Sequence, residues 1–183
     1  MKRLKFLKTL ADNKIGKTIP ISAYIRQSFM AFSFLFVFLI AWHQFIPVTD
    51  QVLFSAIASS IFLTFVSTSI YESLSTKIIG GQVIGVIVGA TFWYVKTGSS
   101  LLLPSFSAEI FVLCMSLSCG LLLLILSMLN FEHPPAAGTA MAFVFKPDTP
   151  AAADYMFVII CAILLGITHY IVKKRQLIKD LEQ

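Results

Sequence analysis

Apolar runs of membrane-spanning length, with the charged residues pushed to their ends, constrain this chain more than any other feature. A helix needs about 20 mostly apolar residues to cross a hydrocarbon core of about 30 Å. Runs of this kind cover 27–46, 51–71, 78–95 and 108–129, and another covers 154–172. Between the last two, 134–145 is equally apolar but only about 18 Å long at 1.5 Å per residue, so a short or re-entrant helix is expected there. Composition agrees, since 57% of the residues are hydrophobic and 13% charged, and 17 Phe are more than so little polar surface can cover in water. The expected fold is an all-α polytopic membrane protein with about six membrane segments, one or two of them short or re-entrant.

The formal net charge of +5 would suit a nucleic-acid surface if it were spread out, but it is not. Lys2, Arg3, Lys5, Lys8, Lys14, Lys17 and Arg26 precede the first apolar run, and Lys173, Lys174, Arg175 and Lys179 follow the last. Dense Lys/Arg marks the cytoplasmic side of a bilayer. The lipid bilayer is therefore the expected partner, with no role for nucleic acid. The chain divides into a basic cytoplasmic segment (1–26), a transmembrane domain (27–172) and a basic cytoplasmic tail (173–183). The first apolar run is not closed by a small-residue cleavage site and reads as a retained helix.

Two cytoplasmic termini require an even number of crossings. Six result if the short run crosses, placing Glu72, Lys77, Glu132 and His133 on the cytoplasmic side and Lys96 and Lys146 outside. Four result if both the second segment and the short run are re-entrant. The order of segment lengths suggests two three-element halves. Aligning Phe65 with Phe145 sets Ala56 on Ala136, Ser59 on Thr139, Ser60 on Ala140 and Ile61 on Met141. Consecutive three-span units have opposite orientation, the inverted-repeat plan in which broken helices meet near the bilayer midplane. Gly81, Gly85 and Gly89, four residues apart, give the third segment a bare face for close helix approach, within the chain or between copies in a homo-oligomer.

The unusual element is Asn130-Phe131-Glu132-His133-Pro134-Pro135-Ala136-Ala137-Gly138-Thr139-Ala140. A proline disfavours helical geometry in the residue before it, so His133 and Pro134 are expected to be extended and the preceding helix to end near Asn130. Pro135 suits the first helical position. With little side chain at Ala136, Ala137, Gly138 and Ala140, the first turn is expected to leave its amides open to a small anion, aided by the helix dipole, His133 and the Thr139 hydroxyl. Ser55, Ser59 and Ser60 on the second segment make a counterpart. The bland alternative is that the prolines merely end one helix and begin another.

His133-Pro134-Pro135 followed by small residues and Thr139 resembles the signature of the HPP family of integral membrane proteins, and Gly80-Gly81-Gln82 resembles its Gly-Gly-His element. The likeness covers 27–172. Plastid and cyanobacterial relatives are associated with nitrite transport, so the resemblance implies a permease for a small monovalent inorganic anion, in a bacterial inner (plasma) membrane. The chain departs from the family pattern at three places. Ser55-Ala56-Ile57-Ala58-Ser59-Ser60 stands where Pro-Phe-Gly-Ala-Ser is expected, Ala137-Gly138 reverses the commoner order, and Gln82 replaces a His.

The substrate-binding set expected on these grounds is His133, Pro134, Pro135, Ala136, Ala137, Gly138, Thr139, Ser55, Ser59 and Ser60. His133 and Glu132 are candidates for proton coupling, because an unperturbed imidazole titrates near pH 6.5. Asp50, Glu72, Lys77, Lys96, Glu109, Lys146, Asp148 and Asp154 sit at segment ends and read as interfacial; His43 and His169, beside Trp42 and Tyr170, read as part of an aromatic belt. Cys114, Cys119 and Cys161 lack metal-ligand spacing and read as small buried hydrophobes, so no metal or cofactor is expected. No catalytic triad or phosphate-binding loop occurs, so the chain is not expected to be an enzyme; an acid-base pair of His133 and Glu132 is the residual enzymatic reading. The non-enzymatic rival is a scaffold or oligomeric subunit assembled through the glycine face.

Overall fold

The computed structural model describes residues 51–66 and 74–181, with helical stretches at 25–26, 28–34, 36–37 and residue 40. The basic residues before 25, His43, Glu72, parts of the first apolar run and 67–71 of the second lie outside the described residues. Helix α1 is Gln51–Val66, α2 Leu74–Leu102, α3 Ser107–Leu129, α4 Pro135–Phe145 and α5 Ala152–Leu181, with a 3-10 turn, Pro104–Phe106, between α2 and α3. Among the described residues, Ser75–Leu102, Pro104–Leu129 and Ala152–Val172 are long and apolar enough to cross a membrane, while Leu53–Phe65 and Pro135–Phe145 are shorter apolar helices.

Boundaries of two segments differ from expectation, and the last, read as 154–172, continues as helix to Leu181. The third segment, read as 78–95, runs from Leu74 to Leu102. Lys96 therefore lies inside a helix, where its ammonium bonds the carbonyls of Val144 at 2.7 Å and Lys146 at 2.8 Å. The helix stops only before Pro104, with Leu103 at φ −130° and ψ 66°. The described part of the second segment has 16 helical residues, about 24 Å.

Contacts along α2 set the direction of its neighbours. Gly81 meets His133, Gly85 meets Ala136 and Gly89 meets Ala140, so α4 runs parallel to α2. Ser75 bonds His169 at 2.9 Å and the Phe143 ring meets Tyr155, so α5 runs back. Phe111 packs on Phe145 at one end and Lys77 pairs with Glu132 at the other, which makes α3 antiparallel to α4. Ala56 against Gly138 and Phe54 against Phe157 give α1 the same sense as α3. Lys77 and Lys96 are about 28 Å apart along α2, close to one hydrocarbon thickness, and mark the two ends of the bundle.

Helix α4 starts near the Lys77 end and finishes at the Lys96 end. It is the short apolar helix expected, flanked by the non-helical residues 131–133 and 146–151. Pro135, Ala136, Thr139, Ala140, Ala142, Phe143 and Val144 are buried, placing α4 in the centre. Helix α3, by contrast, buries only Cys114, Ser118, Leu122 and Leu126, one stripe at four-residue spacing. Its exposed Leu113, Leu117, Leu121, Leu124 and Met128 form a lipid-facing surface.

The glycine face is spent inside the chain. A Cβ at Gly85 would sit 2.8 Å from the Ala136 carbonyl oxygen, and one at Gly89 2.7 Å from that of Ala140. Small residues thus let two backbones touch where the sequence left internal and homo-oligomeric contacts open. One reading of histidine is also corrected. His169, assigned to an aromatic belt, is 1% exposed and joins α5 to the start of α2. Lys96, assigned to the interface, stands at one end of the bundle and there closes the C-terminal end of α4, where Trp93 Nε1 also donates to the Lys146 carbonyl at 3.0 Å.

Candidate functional site

The His-Pro-Pro turn begins where α3 ends. Asn130 takes a left-handed conformation, φ 57°, which Asn tolerates better than most side chains. Phe131 N–H then donates to Leu126 O at 2.9 Å and Asn130 N–H to Ser127 O at 3.4 Å, a Schellman closure that satisfies two terminal carbonyls. As expected, α4 opens on Pro135. Pro134 departs from expectation: it has helical dihedrals, φ −52° and ψ −36°, because its carbonyl accepts the Ala137 N–H at 3.1 Å in the first turn.

That turn changes the chemistry of the helix start. Pro134 and Pro135 have no N–H. The Ala136 amide donates to His133 O at 2.9 Å, and the Ala137 amide to Pro134 O. The open amides expected for an anion are therefore engaged or missing. Ala136 is buried beneath Gly85, and Ala137 is half-buried in the apolar cluster with Val88, Leu122 and Leu126. Neither presents a side chain to a site.

Polar side chains converge one helical face away. His133 Nε2 lies 2.9 Å from Ser60 Oγ, Gln82 Nε2 donates to Ser60 Oγ at 2.9 Å, and Thr139 donates to Gln82 Oε1 at 2.6 Å. Ser60, Gln82 and Thr139 are 0% exposed and His133 1%. The chain of bonds joins α1, α2, the turn and α4. In so apolar a setting each link matters, because a buried polar atom left unpaired costs about 1–3 kcal/mol. His133 Nδ1 is the exception, a buried nitrogen with no hydrogen-bond partner.

Beside this network a groove of about 440 Å³ opens between α1 and α4, lined by Ser55, Ala56, Ser59, Phe62, Leu63, Pro134, Pro135 and Gly138. Ala136 and Ala137 aside, the expected site residues thus fall into two groups. Ser60, His133 and Thr139 form the buried network; Ser55, Ser59, Pro134, Pro135 and Gly138 line the groove. Gln82 is the member that residue-by-residue reading did not place in the site. Its signal was an amide inside an apolar span, at the position of the Gly-Gly-His element. Counting from Lys77 along α2, Gln82 lies about 8 Å into the bundle, so the network sits nearer one face than the midplane expected of broken helices.

The proposed acid-base pair is separated by its contacts. Glu132 accepts from Lys77 Nζ at 2.5 Å, and that bond holds its carboxyl below the usual range; Lys77 also reaches Asn130 Oδ1 at 3.1 Å. His133, in the connection between α3 and α4, turns instead to Ser60. Among the described residues no cluster of His, Cys, Asp and Glu could hold a metal ion.

A comparison with protein families finds a match over most of the chain. The family described as HPP, transmembrane region, matches residues 17–175. The chain belongs to this family. Comparison with curated proteins and with solved structures finds no match. The HPP match runs from the basic N-terminal segment to the start of the C-terminal tail, so it takes in the groove and the buried network alike.

Proposed function

We propose that this HPP-family chain is a permease for a small monovalent inorganic anion of the nitrite type, which passes along the seam of α1 and α4. The observation that carries the reading is the meeting of two short apolar helices around a buried string of neutral polar groups, beside a groove that both helices line. Non-spanning helices are stable in a membrane when they are enclosed by protein around a cavity or pathway. Recognition rests on hydroxyl and imidazole donors, since the first-turn amides are occupied. Neutral donors suit a singly charged ion, which needs less compensation on leaving water than a divalent one.

In this reading the chain crosses six times as two inverted units, the first apolar run with α1 and α2, then α3 with α4 and α5. Both termini face the cytoplasm of a bacterial inner membrane, on the Lys77 side to which α5 returns. The scaffold alternative loses its main support, because the glycine face is covered by α4.

The test is flux into proteoliposomes, comparing nitrite, nitrate, formate and chloride. Gly138→Leu would fill the groove, where even a Cβ comes within 3.2 Å of Ala56, and Gly120→Leu, with nothing within 4 Å, is the matched control. Saturable flux that Gly138→Leu abolishes and Gly120→Leu keeps is the expected result. No flux of any of these anions from folded protein would overturn the proposal.

A further inference from the structure

We infer that α1 is a latched helix, which rocks on its contact with α4 at Ala56 and Gly138, and that the Ser60 hydroxyl is the latch that holds the groove open. The bearing on flux rests on the permease reading; the latch does not.

Successive residues of a helix point about 100° apart. Around α1, counted from Ser55, the groove residues Ser59 and Leu63 lie at about 40° and 80°, Ala56 at about 100° and Ser60 at about 140°. The contact with α4 therefore stands between the groove on one side and the polar bonds on the other. That contact is smooth. A Cβ on Gly138 would sit 3.2 Å from the Ala56 Cβ and 3.6 Å from its Cα, so no long side chain interlocks the two helices there. With about 440 Å³ of groove on one side, α1 leans that way without displacing packed side chains, whereas a close-packed interior would hold it rigid. On the other side Ser60 ties α1 to Gln82 of α2 and to His133 in the turn, each at 2.9 Å. Either placement of the imidazole proton serves: a bare Nε2 accepts from Ser60, and a protonated one donates to it while Ser60 donates to Ala56 O at 3.2 Å. Ser59 and Thr64 spend their hydroxyls inside α1, on Ala56 O at 2.8 Å and Ser60 O at 2.9 Å. Among the described residues Ser60 is thus the α1 hydroxyl bonded to other elements, and closing the groove about Ala56 pulls it away from both partners.

The experiment uses the full chain in lipid nanodiscs, with trifluoromethyl-phenylalanine in place of Phe62, which lines the groove and is exposed, read by fluorine NMR. Two resonances are expected, a major one for the latched helix and a minor one for the closed groove. Ser60→Ala should raise the ratio of minor to major about fivefold or more, the worth of at least one ordinary hydrogen bond. Gln82→Met removes one partner of the latch from α2 and should raise the ratio in the same direction, which keeps the test decisive if Ser60→Ala does not fold. Thr64→Val is the control: it deletes a buried hydroxyl one turn on whose bond stays inside α1, and should leave the ratio unchanged. A single resonance at one chemical shift in every variant overturns the rocking. Equal ratios in Thr64→Val and in the latch variants overturn the role of Ser60. Nitrite flux into proteoliposomes that follows the ratio across the variants supports the latch as the gate of the permease. A ratio that shifts without any flux supports the latch and overturns the permease reading.

Discussion

Replacing Gly85 by alanine tests whether α2 and α4 are held in backbone contact. The new Cβ would lie 2.8 Å from the Ala136 carbonyl oxygen and 3.4 Å from its carbon. Ordinary contact begins near 3.4 Å, so the two helices must separate by about 0.6 Å or bend. Neither is easy, because the obstacle is backbone in the centre of the bundle, and α4 is tied at one end through His133 and Thr139 and at the other through Lys96. Overpacking of this kind costs about 3 kcal/mol, and the better helix propensity of alanine returns about 1 kcal/mol, leaving a net loss of about 2 kcal/mol. For a chain of this size that is a fall in Tm of about 4–8 °C. Gly120→Ala on α3 is the reference, since nothing lies within 4 Å of its Cβ and only the propensity gain applies. The assay is thermal unfolding of purified protein in one detergent at several dilutions. A Gly85→Ala variant as stable as Gly120→Ala would refute the internal contact. A loss that grows on dilution would point to a contact between copies instead.

Two further changes probe the site and its supports. Thr139→Val keeps the shape but leaves Gln82 Oε1 without its donor, and should lower stability by about 1–3 kcal/mol in the same thermal assay. Lys96→Met removes the donor to two carbonyls at the C-terminal end of α4 and should cost about 2–4 kcal/mol, read as a lower Tm at neutral pH.

Much of the helical plan could be read locally. The hydrocarbon thickness makes long apolar runs into spans, and the proline pair with Asn130 sets the end of α3 and the start of α4 within a few residues. The small residues at Gly81, Gly85 and Gly89 announced a close helix contact, and His133, Ser60 and Thr139 were nominated together from the turn and its hydroxyl-rich counterpart. Boundaries were harder. Lys96 looked like the end of a segment because a lone charge is costly in lipid, yet carbonyls from another helix receive it.

By itself, then, the sequence determined the solvent, the helical class, the basic character of the termini and the break at His133-Pro134-Pro135. These follow from local quantities: hydropathy over about 20 residues, the positions of Lys and Arg, and the missing N–H of proline. Only the tertiary structure decided what the glycine face touches, because an exposed helix face looks the same in sequence whether a neighbour or a second copy covers it. The same holds for the amides of α4, whose fate depended on how Pro134 turned, and for Gln82. An amide inside an apolar span must find partners, but which ones is set by helices that meet from distant parts of the chain, here bringing Ser60, Gln82, His133 and Thr139 into one buried string.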